Sequence, residues 1–395
     1  MKRSVAVIST SRADYSHLYW VLRELHEHPD IDLRLLVSGA HLSSQFGRTI
    51  DEIERDGFHI DARVECLQDA DDDIGMARTI GTATLALADV LGQMRPDLLL
   101  VIADRYEMLA PACVALALRI PIAHIEGGDI SEGAIDDAVR NALTKLSHVH
   151  LTPTENAKDR VLAMGEESWR VHCVGAPSLD HLCRSKLPDR AALETSIECE
   201  VPPGALLVAY HPVTIARDTL READEVFAAL QQANKPVFFC FPNADAGGRE
   251  LIRRAQDFCA TSHDRHLLVN LNPLVYWSLL QHVGVMIGNS SSGIMETPSL
   301  ELPTVNIGFR QEGRERATNI LDAAADRTAI VECIERALDP KFKESLSGMS
   351  NPYGDGHAAE RIVKILTEVP LGENLLHKRP VQELSSGKRP SLPER

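Results

Sequence analysis

The chain has 395 residues, 44% of them hydrophobic and 25% charged, which is globular material enough for two domains. Its formal net charge of −16 argues against nucleic acid or an anionic membrane as partner, because a phosphate backbone is met by a basic face. No apolar run of membrane-spanning length and no leader pattern stand out, and the eight cysteines form no C-x-x-C pair. They read as buried thiols of a cytoplasmic protein, not as a disulfide or zinc framework.

Short Val/Ile/Leu runs alternate with amphipathic stretches, the pattern of parallel sheets covered on both faces. SVAVIS at 4–9 predicts a first strand, and 14–28 the first helix. The link between them, STSRADYS, holds no G-x-G-x-x-G, so no dinucleotide cofactor is indicated. Arg12 in that link stands at a helix N-terminus, where a guanidinium and free N–H groups suit a phosphate. The competing reading is a surface arginine, with Ser11 or Asp14 capping the helix.

Strands at 32–38 and 97–103 follow, with a helix over 75–93 that is either a core helix or a subunit interface. DRYEM, 104–108, closes the second of these strands. Asp104 there is an N-cap or a site carboxylate, and Arg105 beside it is a candidate substrate-binding cation. The run 120–125 then delivers His124 and Glu126 to a strand end, and Gly127 and Gly128 open room for a ligand against the backbone. The loop ends in Asp136 and Asp137 at the head of a helix starting near Ala138, one to cap and one to react. Carboxylates crowded in one cleft raise each other's pKa, so one stays protonated and serves as an acid. That is a proton-transfer site. No His/Cys cluster suggests a metal, and no cofactor is expected.

A polar, Pro-bearing connection over 183–203 leads to a second strand set at 205–214, 236–243, 266–270, 283–289 and 303–308. His211, ending the first of these, reads as a cleft-facing proton shuttle or phosphate partner, against a satisfied structural histidine. At 288–303 a strand ends in Gly-Asn and three serines open a helix carrying Glu296. Ser290 and Ser291 cradle a diphosphate there, or merely cap the helix, and Glu296 suits a ribose diol. Arg310 and Arg314 lie just beyond the next strand. The expected fold is α/β, with two Rossmann-like domains at 1–180 and 181–355 and a cleft between them, followed by a polar tail at 370–395 that reads as disordered.

Taken in order, SRADYS, DRYEM, HIEGGDISEGAIDDAVR, HPVT, FPNADAGG, GNSSSGIMETPS and NPYGDGHAAERI resemble the UDP-N-acetylglucosamine 2-epimerase family. Ser-Arg-Ala-Asp and Glu-Gly-Gly favour its hydrolysing branch over the non-hydrolysing one. The resemblance implies a glycosyltransferase-B-like pair of domains with the nucleotide held mainly by the second, and a helix at 356–369 packed back on the first. It also implies a homodimer or homotetramer and a nucleotide-sugar substrate. The activity implied is conversion of UDP-N-acetylglucosamine and water to N-acetylmannosamine and UDP, through elimination to a 2-acetamidoglucal and hydration. The alternatives are the same reaction on a UDP- or GDP-linked 2,4-diacetamido-trideoxyhexose, and non-hydrolysing epimerisation. Residue by residue, Arg12 matches the diphosphate-side arginine, and Asp104, Glu126 and Asp136 match the catalytic carboxylates at the sugar. His211 matches a catalytic histidine beside the phosphates, and Asn243 and Arg310 match nucleotide-side residues. Ser290 and Ser291 match the diphosphate serines, and Glu296 the ribose carboxylate.

Overall fold

Two all-parallel sheets organise the chain; their central strands read in sequence as short apolar runs, whereas the strands at 60–64, 149–152, 171–173 and 320–323 were not among those expected. The computed structural model describes residues 2–69, 72–216, 218, 220–240, 247–269 and 271–379. The first sheet holds β1 (Arg3–Ser9), β2 (Ile31–Ser38), β3 (Ile60–Val64), β4 (Leu98–Ile102), β5 (Ile122–Ile125), β6 (Val149–Thr152) and β7 (Val171–Cys173) in the order β3-β2-β1-β4-β5-β6-β7. The second holds β8 (Leu206–Ala209), β9 (Val237–Cys240), β10 (Arg265–Leu268), β11 (Val285–Gly288), β12 (Thr304–Ile307) and β13 (Ile320–Ala323) in the order β10-β9-β8-β11-β12-β13. Strand order reverses at β1/β4 and again at β8/β11. The chain leaves the carboxyl ends of those neighbours in opposite directions, which opens a crevice in each sheet. β4 and β5 are buried along their whole length, as helices on both faces require.

The helices that matter for the site are α1 (Arg12–Glu27), α2 (Asp73–Met94), α3 (Leu109–Leu118), α4 (Asp136–Leu146), α5 (Ser292–Met295), α6 (Ala358–Glu368) and α7 (Glu373–Leu376). A capping box starts α1: the Asp14 N–H donates to Ser11 Oγ at 3.4 Å, and the Asp14 carboxylate accepts from the Ser11 N–H at 3.1 Å. Capping by Ser11 and Asp14 therefore coexists with an Arg12 that faces the cleft. By length and composition α2 is apolar enough to cross a membrane, which corrects the reading that no such run exists. Its stripe Gly75–Thr79–Ala83–Leu87–Leu91 is buried, the i, i+4 face of a helix lying on a core.

Helix α6 returns to the first sheet, where Ala359, Ile362 and Leu366 join the same core as Leu18 and Leu22 of α1. Its start is fixed by the Asp180 carboxylate, which accepts from the N–H groups of Ala358 (2.8 Å) and Ala359 (2.9 Å), two donors that a helix N-terminus leaves open. The expectation of a disordered tail from 370 is corrected over 370–379. The buried Arg170 guanidinium donates to the carbonyls of Leu375 (2.7 Å) and His377 (3.0 Å), and Lys378 donates to Ser147 O at 2.7 Å and pairs with Glu166 at 2.7 Å. Residues 380–395 lie outside the described residues. All eight cysteines are free, but only Cys66 and Cys259 are buried and Cys113 and Cys183 are exposed, so "buried thiols" holds for part of the set.

Candidate active site

β4 and β5 end alike. Ala103 (φ 56°) and Glu126 (φ 64°) each follow their strand in the left-handed region, which costs a non-glycine residue on the order of 1–3 kcal/mol. Three hydrogen bonds impose the bend: Ala103 N–H to Ile125 O (2.9 Å), Glu126 N–H to Leu151 O (2.9 Å) and His124 Nε2–H to Ala103 O (2.8 Å). His124 is buried and burial pushes its pKa down to about 4, so it is neutral. It does not line the cleft, which corrects its placement with the site acids. The glycines after Glu126 are corrected as well. A Cβ on Gly128 would strike the Ala157 carbonyl, and one on Gly127 would stand 3.0 Å from His124 Nδ1, so both serve packing within the first half.

Asp104, Glu126 and Asp136 all line one cleft with Arg12 and Arg105. Asp104 and Glu126 each meet a cationic partner there. Asp104 pairs with Arg140 of α4, a buried guanidinium that also donates to Ser131 Oγ at 3.2 Å. The N-cap reading of Asp104 fails: the following turn, Tyr106–Met108, has Arg105 at its cap position and no side-chain cap bond. Arg105 is itself buried and donates to Glu107 Oε1 at 2.9 Å. Glu126 meets His17 of α1, with Nδ1 to Oε1 at 2.7 Å. Burial alone would raise the Glu126 pKa, but the His17 charge and hydrogen bond, with Arg314 behind, hold it below the usual carboxylate value. That overturns the expected upward shift for this residue. α4 begins at Asp136, two positions before Ala138. Asp137 accepts from the Ser131 N–H at 2.9 Å and so fixes the loop, while Asp136 faces the cleft.

On the second half, Asn289 gathers the polar groups. It is fully buried. Its Oδ1 accepts from the His211 N–H (2.7 Å), its Nδ2 donates to His211 O (2.9 Å), and its carbonyl accepts from Arg310 Nη1 (3.1 Å) and Gln311 Nε2 (2.8 Å). His211, Ser290, Ser291, Glu296 and Arg310 consequently line the same cleft as the acids. Ser291 occupies the N-cap position of α5 without making a side-chain cap bond, while Ser290 Oγ accepts from the Ser292 N–H at 3.4 Å, so the capping alternative holds for Ser290 and not for Ser291. Ser292 bonds Glu296 and meets the Tyr276 hydroxyl at 2.6 Å. Asn243 lies outside the described residues.

The halves interlock across the cleft mouth. Arg314 reaches over to donate to Ile130 O (2.9 Å) and Ser131 Oγ (3.2 Å) and pairs with Asp129 at 3.3 Å. The Thr214 hydroxyl accepts from the Ile135 N–H at 3.3 Å, and the Glu132 N–H donates to Glu312 O at 3.3 Å.

The family described as UDP-N-acetylglucosamine 2-epimerase matches residues 23–367. The chain belongs to that family. It is an enzyme, an epimerase. Among relatives of this UDP-N-acetylglucosamine 2-epimerase family member, UDP-N,N'-diacetylbacillosamine 2-epimerase (hydrolyzing) of Legionella pneumophila is 36% identical, over 96% of this chain and 99% of its own. GDP/UDP-N,N'-diacetylbacillosamine 2-epimerase (hydrolyzing) of Campylobacter jejuni is 34% identical, over 95% and 98%. The solved UDP-GlcNAc 2-epimerase of Neisseria meningitidis bound to UDP-GlcNAc shares the fold, with TM-score 0.77 at 21% identity over 93% of this chain and 100% of that one. The α/β architecture with two Rossmann-like sheets, and membership of this epimerase family, were both legible in the sequence. His17, Arg140 and Asn289 were not singled out. The signal for His17 was its place one turn beyond the Arg12–Ala13 start of α1; for Arg140 there was only a charge on a helix otherwise read for its first turn.

Proposed function

We propose that the protein is a hydrolysing 2-epimerase acting on a UDP-linked 2,4-diacetamido-2,4,6-trideoxyhexose, UDP-N,N'-diacetylbacillosamine, rather than on UDP-N-acetylglucosamine. The support for the sugar is the 36% and 34% identity, along almost the whole chain, to two enzymes named for that substrate. The support for the chemistry is the cleft, which sets Asp104, Glu126 and Asp136 opposite His211, Ser290, Ser291, Glu296 and Arg310. In this reading Arg12, His211, Arg310 and the two serines receive the diphosphate, Glu296 takes the ribose hydroxyls, and Arg105 binds substrate beside the sugar. Asn243, outside the described residues, belongs to the nucleotide side.

The C1–O bond breaks first, because the C2 hydrogen is not acidic until positive charge builds at C1. Carboxylates beside the ring stabilise that charge, and the cations opposite stabilise the departing UDP. Loss of the C2 proton to a carboxylate gives the glucal. Water then adds at C1 and a proton returns to C2 from the other face, inverting C2. General acid–base work of this kind is worth roughly 10²- to 10⁴-fold, and Asp104, Glu126 and Asp136 carry it. No metal enters the scheme, and among the described residues no group of three or more His, Cys, Asp or Glu is arranged to hold one.

The deciding experiment incubates the protein in deuterated water with UDP-N,N'-diacetylbacillosamine, its GDP analogue and UDP-N-acetylglucosamine in turn, followed by NMR. Free nucleotide plus 2,4-diacetamido-2,4,6-trideoxymannose, deuterated at C2, is expected. Turnover of UDP-N-acetylglucosamine alone would reassign the sugar, and a UDP-linked epimer as product would reassign the branch. The working unit in this reading is a cytoplasmic homo-oligomer. The free thiols suit a reducing compartment, and the exposed apolar side chains on α2 and α3 suit a second copy of the chain.

A further inference from the structure

We propose that His17 is a further functional residue, a positioning imidazole that aims the Glu126 carboxylate at the sugar and ties it across the cleft to Glu296. Resting on the proposed reaction, it adds a residue to which neither the motifs nor that reading gave a part. The side chain projects from the second turn of α1 into the cleft. Its Nδ1 is 2.7 Å from Glu126 Oε1 and its Nε2 is 3.9 Å from Glu296 Oε1. One ring therefore meets a carboxylate from each half, and both carboxylates are buried. The contact with Glu126 spans 109 positions of sequence, so it exists only where α1 crosses the end of β5.

Glu126 is held in a strained backbone at a strand end, and its side chain needs a partner to take one direction into the cleft. An imidazolium supplies that direction and also offsets the burial of a negative charge. The charged and titratable groups acting on His17 are Asp14 on its own helix, Glu126 after β5, Glu296 at the end of α5, and His181, which holds the Ser16 carbonyl at 3.0 Å; Arg12 and Tyr276 line the same cleft. Burial alone would lower the His17 pKa, but Glu126, by charge and hydrogen bond, and then Glu296 and Asp14, raise it to about 9. His17 thus stays charged through neutral pH, with Nδ1–H donating to Glu126 and Nε2–H held at ion-pair distance from Glu296. If Glu296 takes the ribose hydroxyls, closure on the nucleotide and orientation of the sugar base are fixed through a single ring.

The test compares His17→Gln and His17→Lys with the parent enzyme, using kcat, KM, the pH profile, UDP affinity by calorimetry and the thermal midpoint. For His17→Gln we expect kcat to fall about 10- to 100-fold while KM and UDP affinity stay within about threefold. The acid limb of the kcat profile should move to higher pH: without the neighbouring cation the Glu126 pKa rises, and its base form is lost at a higher pH. His17→Lys retains the charge, so its acid limb should stay near that of the parent and part of kcat should return. Parental kcat with an unmoved acid limb in a folded His17→Gln enzyme would overturn the proposal, as would a loss of UDP affinity alone. Should the glutamine variant not fold, a lysine variant whose acid limb moves as far as that of an uncharged side chain would overturn it too. Absence of parental turnover on every nucleotide-sugar would instead sink the proposed reaction, which separates the two failures.

Discussion

Arg140 is 1% exposed and still carries a charge to Asp104, so its burial is tolerable because that carboxylate and Ser131 receive it, with Asp137 at 3.9 Å. Breaking such a pair from one side is worse than never having it. Arg140→Met should cost about 3 kcal/mol in urea unfolding and lower kcat, because Asp104 loses the group that orients it. The double variant Arg140→Met with Asp104→Leu should regain much of that stability and none of the activity. If the single and double variants proved equally unstable, the pair would not be what holds this corner together. At this scale the sequence exposed the acids and hid their partners. A carboxylate at a strand end is visible locally, whereas Arg140 stands 36 positions from Asp104 and His17 stands 109 from Glu126.

At the scale of elements, apolar periodicity placed β1, β2, β4 and β5 and the helices α1 and α2 to within a few residues, because strand and helix periods are written in adjacent side chains. It could not tell which face of α2 meets the core and which meets something else. The buried stripe of α2 covers one side only, leaving Leu85 77% exposed, while Leu116 on the wholly apolar α3 is 52% exposed. An apolar helix with a wet face is normally covered by a partner. Leu85→Glu, which touches no catalytic group, should shift the protein towards monomer in sedimentation velocity without unfolding it. A parent that already sediments as a monomer would end the oligomer reading.

At the scale of the whole molecule, the site exists only where the two sheets face each other, and the loops at 129–135 and 309–314 hold them there. Gly133 lies flat on Arg310, and a Cβ at Gly133 would strike the Arg310 backbone, whereas its own φ lies outside the range that demands glycine. Gly133→Ala should therefore leave each half folded and its thermal midpoint little changed, yet hold the halves apart. Since a 1 Å misplacement can cost on the order of 10²-fold, kcat/KM should fall by about tenfold or more. Unchanged kcat/KM would mean that this contact does not set the cleft.

The sequence by itself determined the two α/β sets, the acids at the strand ends, the serine turn and the family, since each is a local pattern of hydrophobic period, turn residue or motif. Only the tertiary structure decided which cation meets which carboxylate, that His124, Gly127 and Gly128 serve packing, and that residues 370–379 dock on Arg170. Those outcomes depend on residues distant in the chain that become neighbours at the switch points of the sheets and across the cleft, where sequence spacing carries no distance.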